Sequence, residues 1–123
     1  MNIRALAACL LILGTWPVLA DALPLRRGAY VGVDTDCKDP PNVELRVYDG
    51  KGLGSSKAGD CWARVLSRRG DVLRIEQDCR EYGGPRPERG IERSVIRIDG
   101  PGRYTDLTGG GSGSFRLCPG LKP

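Results

Sequence analysis

Asp34, Asp36 and Asp39, followed by Asn42, cluster oxygen-bearing side chains within nine positions of the 123-residue chain. Such a group supports two kinds of chemistry: it can collect a hard cation such as calcium, or a pair of its carboxylates can work as acid and base on a glycosidic bond. The calcium pattern fails in detail. An EF-hand loop needs a ligand at its fifth position and glycine at its sixth, and here those positions hold Lys38 and Asp39. A polar turn capped by aspartates accounts for the same residues. The chain has no histidine, and its only methionine is Met1. Ser-His-Asp and Cys-His nucleophile systems are therefore excluded, as are histidine-containing zinc sites. Arg69-Gly70-Asp71 is an integrin-type tripeptide, but a hairpin tip favours Gly beside Asp for backbone reasons alone. The 109–114 stretch lacks the Gly-Lys-Ser/Thr end of a phosphate loop. No catalytic residue, metal site or cofactor is expected.

The cysteines carry more information. Cys9 sits in an apolar N-terminal leader, and Cys37, Cys61, Cys79 and Cys118 follow it. The leader has one positive charge at Arg4, an apolar run over 5–13, and a Gly-Thr-Trp-Pro break before small residues, the pattern of a secretory signal peptide. Leu6-Ala7-Ala8-Cys9 has lipobox residue types, but the apolar run continues past Cys9, where a lipobox would close it. Cleavage fits best after Ala20, with Ala22 as a second site. The expected domains are a signal peptide over 1–20 and one mature domain over 21–123, located in the periplasm or secreted. The apolar run is well short of the ~20 residues that cross a bilayer, so no membrane span is expected. The mature part holds 18 Lys+Arg against 15 Asp+Glu, a net charge of +3. That is too mild for nucleic-acid binding. A monomer is expected. Four cysteines behind an export signal read as two disulfides, which would also remove thiolate catalysis and Cys-only metal sites.

Positioning these residues falls to strands, because hydrophobicity alternates with period two and no helical stripe occurs. The 43–48 run places Val43, Leu45 and Val47 toward a core and Glu44 and Arg46 toward water. Further runs occur near 29–34, 64–66, 72–75, 94–98, 103–107 and 114–117, with turn signals about every ten residues. The fold class is all-β: one antiparallel meander of about seven short strands forming a small barrel or sandwich. A three-residue loop at Arg69-Gly70-Asp71 makes paired positions sum to 140, so Cys61 faces Cys79, Val65 faces Ile75 and Ser67 faces Leu73. In a seven-strand meander the ends of the first and last strands share a rim, which pairs Cys37 with Cys118. Spacing alone leaves the sequential pairing Cys37–Cys61 open.

Outward arginines (Arg46, Arg64, Arg74, Arg93, Arg97, Arg116) interleave with Glu44, Glu76 and Glu92. They read as a cross-strand charge ladder in preference to a surface for an acidic polymer. The aromatics do not form a base-stacking platform. Long polar loops over 49–60, 82–90 and 109–113 are the candidate recognition elements, with Lys51, Lys57, Arg86 and Arg89 as candidate binding residues.

The runs Gly28-Ala29-Tyr30-Val31, Asp34-Thr35-Asp36-Cys37, Tyr48-Asp49-Gly50-Lys51-Gly52, Gln77-Asp78-Cys79-Arg80 and Arg116-Leu117-Cys118-Pro119, with Asn42, resemble a group of small bacterial periplasmic proteins that have no established activity. A signal-led, disulfide-linked β domain is also similar in plan to the periplasmic lysozyme inhibitors, as an analogy of architecture alone. The expected function is a non-enzymatic binding or inhibitor-type module that recognises a protein or envelope component through rim loops. The alternatives are a lipocalin-like small-ligand carrier and, ranked below it, a carboxylate-based envelope hydrolase.

Overall fold

In the computed structural model, residues 20–86, 88–108 and 113–122 are described. Cys9, the leader up to residue 19 and most of the 109–113 loop lie outside them. The chain forms β1 (Gly28–Gly32), β2 (Leu45–Tyr48), β3 (Leu53–Ser55), β4 (Ala58–Arg69), β5 (Val72–Glu81), β6 (Glu88–Gly100), β7 (Arg103–Asp106) and β8 (Gly113–Leu117). All pair antiparallel in one sheet of order β3-β2-β1-β8-β7-β6-β5-β4, curled into a nearly closed barrel. The strand beyond the expected seven is β3, three residues with Gly54 at its centre, too short to show an alternation.

The two edges of the sheet meet through unusual bonds. The Ala63 amide donates to the Lys51 carbonyl at 2.7 Å. The buried Gln77 side chain then stands in for a backbone partner: its Oε1 accepts the Leu53 amide at 2.7 Å and its Nε2 donates to the Leu53 carbonyl at 3.2 Å. Replacing Gln77 by leucine should cost about 1–3 kcal/mol, because both Leu53 backbone groups lose their partner in a half-buried seam. A urea titration of the variant checks this.

The disulfides are Cys37–Cys118 and Cys61–Cys79, as expected. The reasons differ in part. The β4–β5 turn has two residues, with Arg69 opposite Val72 and Gly70 at φ 56°. Ser67 therefore faces Arg74, not Leu73, until a bulge at Leu66 shifts the register and restores Val65 opposite Ile75. With eight strands, β1 and β8 are antiparallel neighbours, so the end of β1 and the end of β8 lie at opposite rims. The loop after β1 folds back instead. Arg116, opposite Val31 on the outer face, donates to the Thr35 carbonyl at 2.7 Å and to Cys37 Sγ at 3.1 Å, holding that loop against β1 and β8.

The interior is aromatic. Tyr104 stacks on Phe115 with centroids 5.0 Å apart, Tyr30 meets Tyr104 edge-on at 5.5 Å, and Leu73, Ile75 and Ile96 pack around them. Leu23 and Leu25, ahead of β1, close one end of the barrel. The Tyr48 hydroxyl ties this plug in: it accepts the Leu23 amide at 2.9 Å and donates to the Leu23 carbonyl at 3.0 Å. Ala22 and Arg26 donate their amides to the carbonyls of Gly50 and Pro101 at the same end.

Tyr48 also corrects the phase of β2. Val43 belongs to a short 3-10 turn (Asn42–Glu44) and is 67% exposed, and Tyr48 takes the interior, so Arg46 two residues earlier points inward while Leu45 and Val47 face out. The ladder expectation holds on the β4–β5–β6 face, where Glu76 accepts from Arg64 at 3.0 Å and from Arg93 at 3.2 Å in one cross-strand row.

Desolvation raises all three interior phenols, pushing Tyr30 up to about 12 and holding Tyr48 and Tyr104 above the usual range. A phenol whose folded value is raised keeps its full stabilisation below the unfolded value of ~10 and loses it as pH climbs through the folded one. Stability should therefore fall steadily above pH ~10. Denaturant midpoints measured at stepped alkaline pH should fall less steeply for Tyr30→Phe.

Candidate functional site

The two ends of the barrel differ. The N-terminal plug, the β2–β3 turn and the β4–β5 turn occupy one end. The 33–41 loop, the β3–β4 turn at 56–57, the β5–β6 loop and the β7–β8 connection start from the other. This second, open rim leads into a cleft of about 150 Å³ inside the barrel, lined among others by Arg46, Ser55, Gln77, Glu92, Ser94 and Asp106.

Each lining residue is placed by strand parity. Arg46 shares the inward face of β2 with Tyr48, and its guanidinium lies 5.1 Å from the Phe115 ring centroid. Its Nη1 donates to the Val43 carbonyl at 2.9 Å and the Leu45 carbonyl at 3.0 Å, which fixes the group at the rim. Glu92 and Ser94 precede the buried Ile96 at two-residue steps on β6, and Asp106 follows the buried Tyr104 on β7. The Tyr104 phenol feels both signs of charge, Arg46 lowering it and Asp106 raising it within a shift dominated by burial. These cleft residues were not legible as a site. The available signal was Tyr48, whose position two residues from Arg46 puts the arginine wherever the aromatic goes.

The four candidate cations separate. Lys57, in the β3–β4 turn, and Arg86, in the β5–β6 loop, project at the open rim, Arg86 beside Glu81 and Glu88 in a hollow of its own loop. Lys51 lies toward the plugged end with its ammonium 4.8 Å from the Trp62 ring centroid, over a hollow lined by Ala22, Trp62 and Ala63. Arg89 clasps three strands: it donates to Asp78 Oδ1 at 2.8 Å, to Asp60 Oδ2 at 3.2 Å and to both residues' carbonyls at 2.9 Å. Those donors are spent on the sheet.

The aspartate cluster does not gather. Asp36 caps its own turn by accepting the Lys38 amide at 3.0 Å, and among the described residues no three Asp, Glu or Cys side chains converge as metal ligands. On the outer face Asp99 accepts from Thr105 at 2.6 Å and Arg97 at 2.7 Å, and the Thr105 bond, followed by Arg97, holds its carboxyl below the ordinary range. That suits an anchor of the sheet better than a base.

Comparison with protein-family models, curated proteins and solved structures found no match to the chain. Among the described residues no helix is long and apolar enough to cross a membrane.

Proposed function

We propose that the chain is an exported binding module that recognises a protein or envelope component through the open rim. One observation carries the reading: the barrel is closed at one end by its own Leu23–Leu25 segment, and the loops carrying Lys57 and Arg86 gather at the other. Rigid strands presenting polar loops at one end are the arrangement of a recognition surface. The two disulfides fit an oxidising compartment. Processing after Ala20 fits the plug better than processing after Ala22, because the later cut would turn the buried Leu23 amide, bonded to Tyr48, into a charged ammonium.

The carrier alternative is weakened by the packed interior. A cleft of about 150 Å³ is smaller than the ~300–1,000 Å³ of drug-sized ligand sites, and it sets Arg46, Glu92 and Asp106 among aliphatic residues such as Leu53 and Ile75, a mixed lining that suits a lipid poorly. The hydrolase alternative gains no support at the 34–39 turn, where Asp36 is engaged in capping its own turn through the Lys38 amide.

Lys57→Glu combined with Arg86→Glu should leave folding intact, since both side chains are exposed, and should abolish retention of an envelope-extract component by the immobilised protein. Equal retention by wild type and variant would overturn rim recognition, and a co-purifying lipid seen by native mass spectrometry would favour the carrier.

A further inference from the structure

The open-rim cleft has a charge arrangement that loop recognition does not use. Arg46 reaches it from β2, and Glu92 and Asp106 reach it from β6 and β7, yet among the described residues Arg46 forms no ion pair. Among the described residues only its Nη1 has protein acceptors, both of them carbonyls, which leaves the Nε–Nη2 edge of the guanidinium for a planar anion. The guanidinium lies over the Phe115 ring at 5.1 Å, which holds it near the cleft wall. Asp106 Oδ1 takes the Thr108 amide at 2.8 Å, and Glu92, four residues along β6 from the Asp106 partner Ile96, stands farther out toward the mouth beside Gln77. Ser55, Ser94 and Tyr104 line the same cleft.

Size narrows the ligand. A cavity of about 150 Å³ holds a molecule of about six to ten non-hydrogen atoms. A lone anion would meet two carboxylates in the same space, and a lone cation would meet the arginine; a small molecule carrying both charges matches each.

We propose that this cleft binds one small zwitterion of the α-amino-acid class, its carboxylate on the Arg46 guanidinium and its ammonium on Glu92. The site is distinct from the loop surface: Lys57 and Arg86 do not line it.

Isothermal titration of the oxidised protein with alanine and serine, against propionate and ethylamine at matched ionic strength, tests the assignment. Saturable binding of the amino acids is expected, with propionate and ethylamine each at least about tenfold weaker. Glu92→Gln, an exposed position whose change leaves the core untouched, should weaken alanine about tenfold and leave propionate no weaker, since the change also removes a negative charge that repels an anion. Arg46→Gln should remove both; because Arg46 also packs on Phe115, its circular dichroism is checked first, and the Glu92 variant decides the matter if it does not fold. No saturable binding of any amino acid, propionate binding as well as alanine, or an unchanged Glu92→Gln affinity would each overturn the proposal. Binding retained in the Lys57→Glu plus Arg86→Glu protein would keep the cleft separate from the rim.

Discussion

Replacing Leu23 and Leu25 together by alanine should destabilise the protein by about 4–8 kcal/mol, enough to unfold much of it at room temperature. Both side chains are buried, at 2% and 5% exposure, and they pack on the same core as Tyr30, Tyr48 and Tyr104. Each truncation removes transfer free energy and leaves a cavity at the end of the barrel that these two side chains plug. The two costs need not add, because the residues share neighbours. Pro24 lies between them and is exposed, so Pro24→Ala is the matched control and should change stability little. Guanidinium titration followed by circular dichroism gives the comparison. A double-variant loss under about 2 kcal/mol would mean that the plug is an appendage and that the strands close the core alone.

Removing the Cys37–Cys118 bridge by alanine at both positions should cost about 4.5 kcal/mol, against about 3 for Cys61 and Cys79, in the chain-entropy account of cross-links. The difference follows from the sequence separations of 81 and 18 residues. The longer bridge also ties the 33–41 loop, which Arg116 holds through the Thr35 carbonyl, to the end of β8. The shorter one joins strands already paired along most of their length, where ladder bonds hold the same two segments together. Chemical denaturation of the two double variants, each with its other bridge intact, ranks them. The reverse order would show that packing around the buried Cys61 and Cys79 outweighs loop length.

Much of the barrel was legible in the chain. Period-two alternation located strands at β1, β2, β5, β6, β7 and β8, and the Gly70-Asp71 corner placed the β4–β5 hairpin closely enough to pair Cys61 with Cys79. The Cys37–Cys118 pairing was reached through a strand count one short, because the strand that changes the parity, β3, is three residues around a glycine.

The candidate cleft was not legible, for a physical reason. Alternation states that the two faces of a strand differ but not which face is buried when both carry an apolar residue, and β2 offers Leu45 and Val47 on one face against Tyr48 on the other. The choice is made by residues far away in sequence: Leu23 satisfies the Tyr48 hydroxyl and Phe115 receives the Arg46 guanidinium, so the face carrying the charge becomes the inner one. Gln77 is the same case. Its amide looks like solvent-facing polarity until Leu53 arrives from the opposite edge of the sheet to use both its ends. The sequence by itself determined strand periodicity, the oxidised cysteine framework and the absence of histidine chemistry, all of which depend on local composition and spacing. Only the tertiary structure decided which face of β2 turns inward, what plugs the barrel and which charges share its mouth, because those follow from competition among distant segments for one small interior.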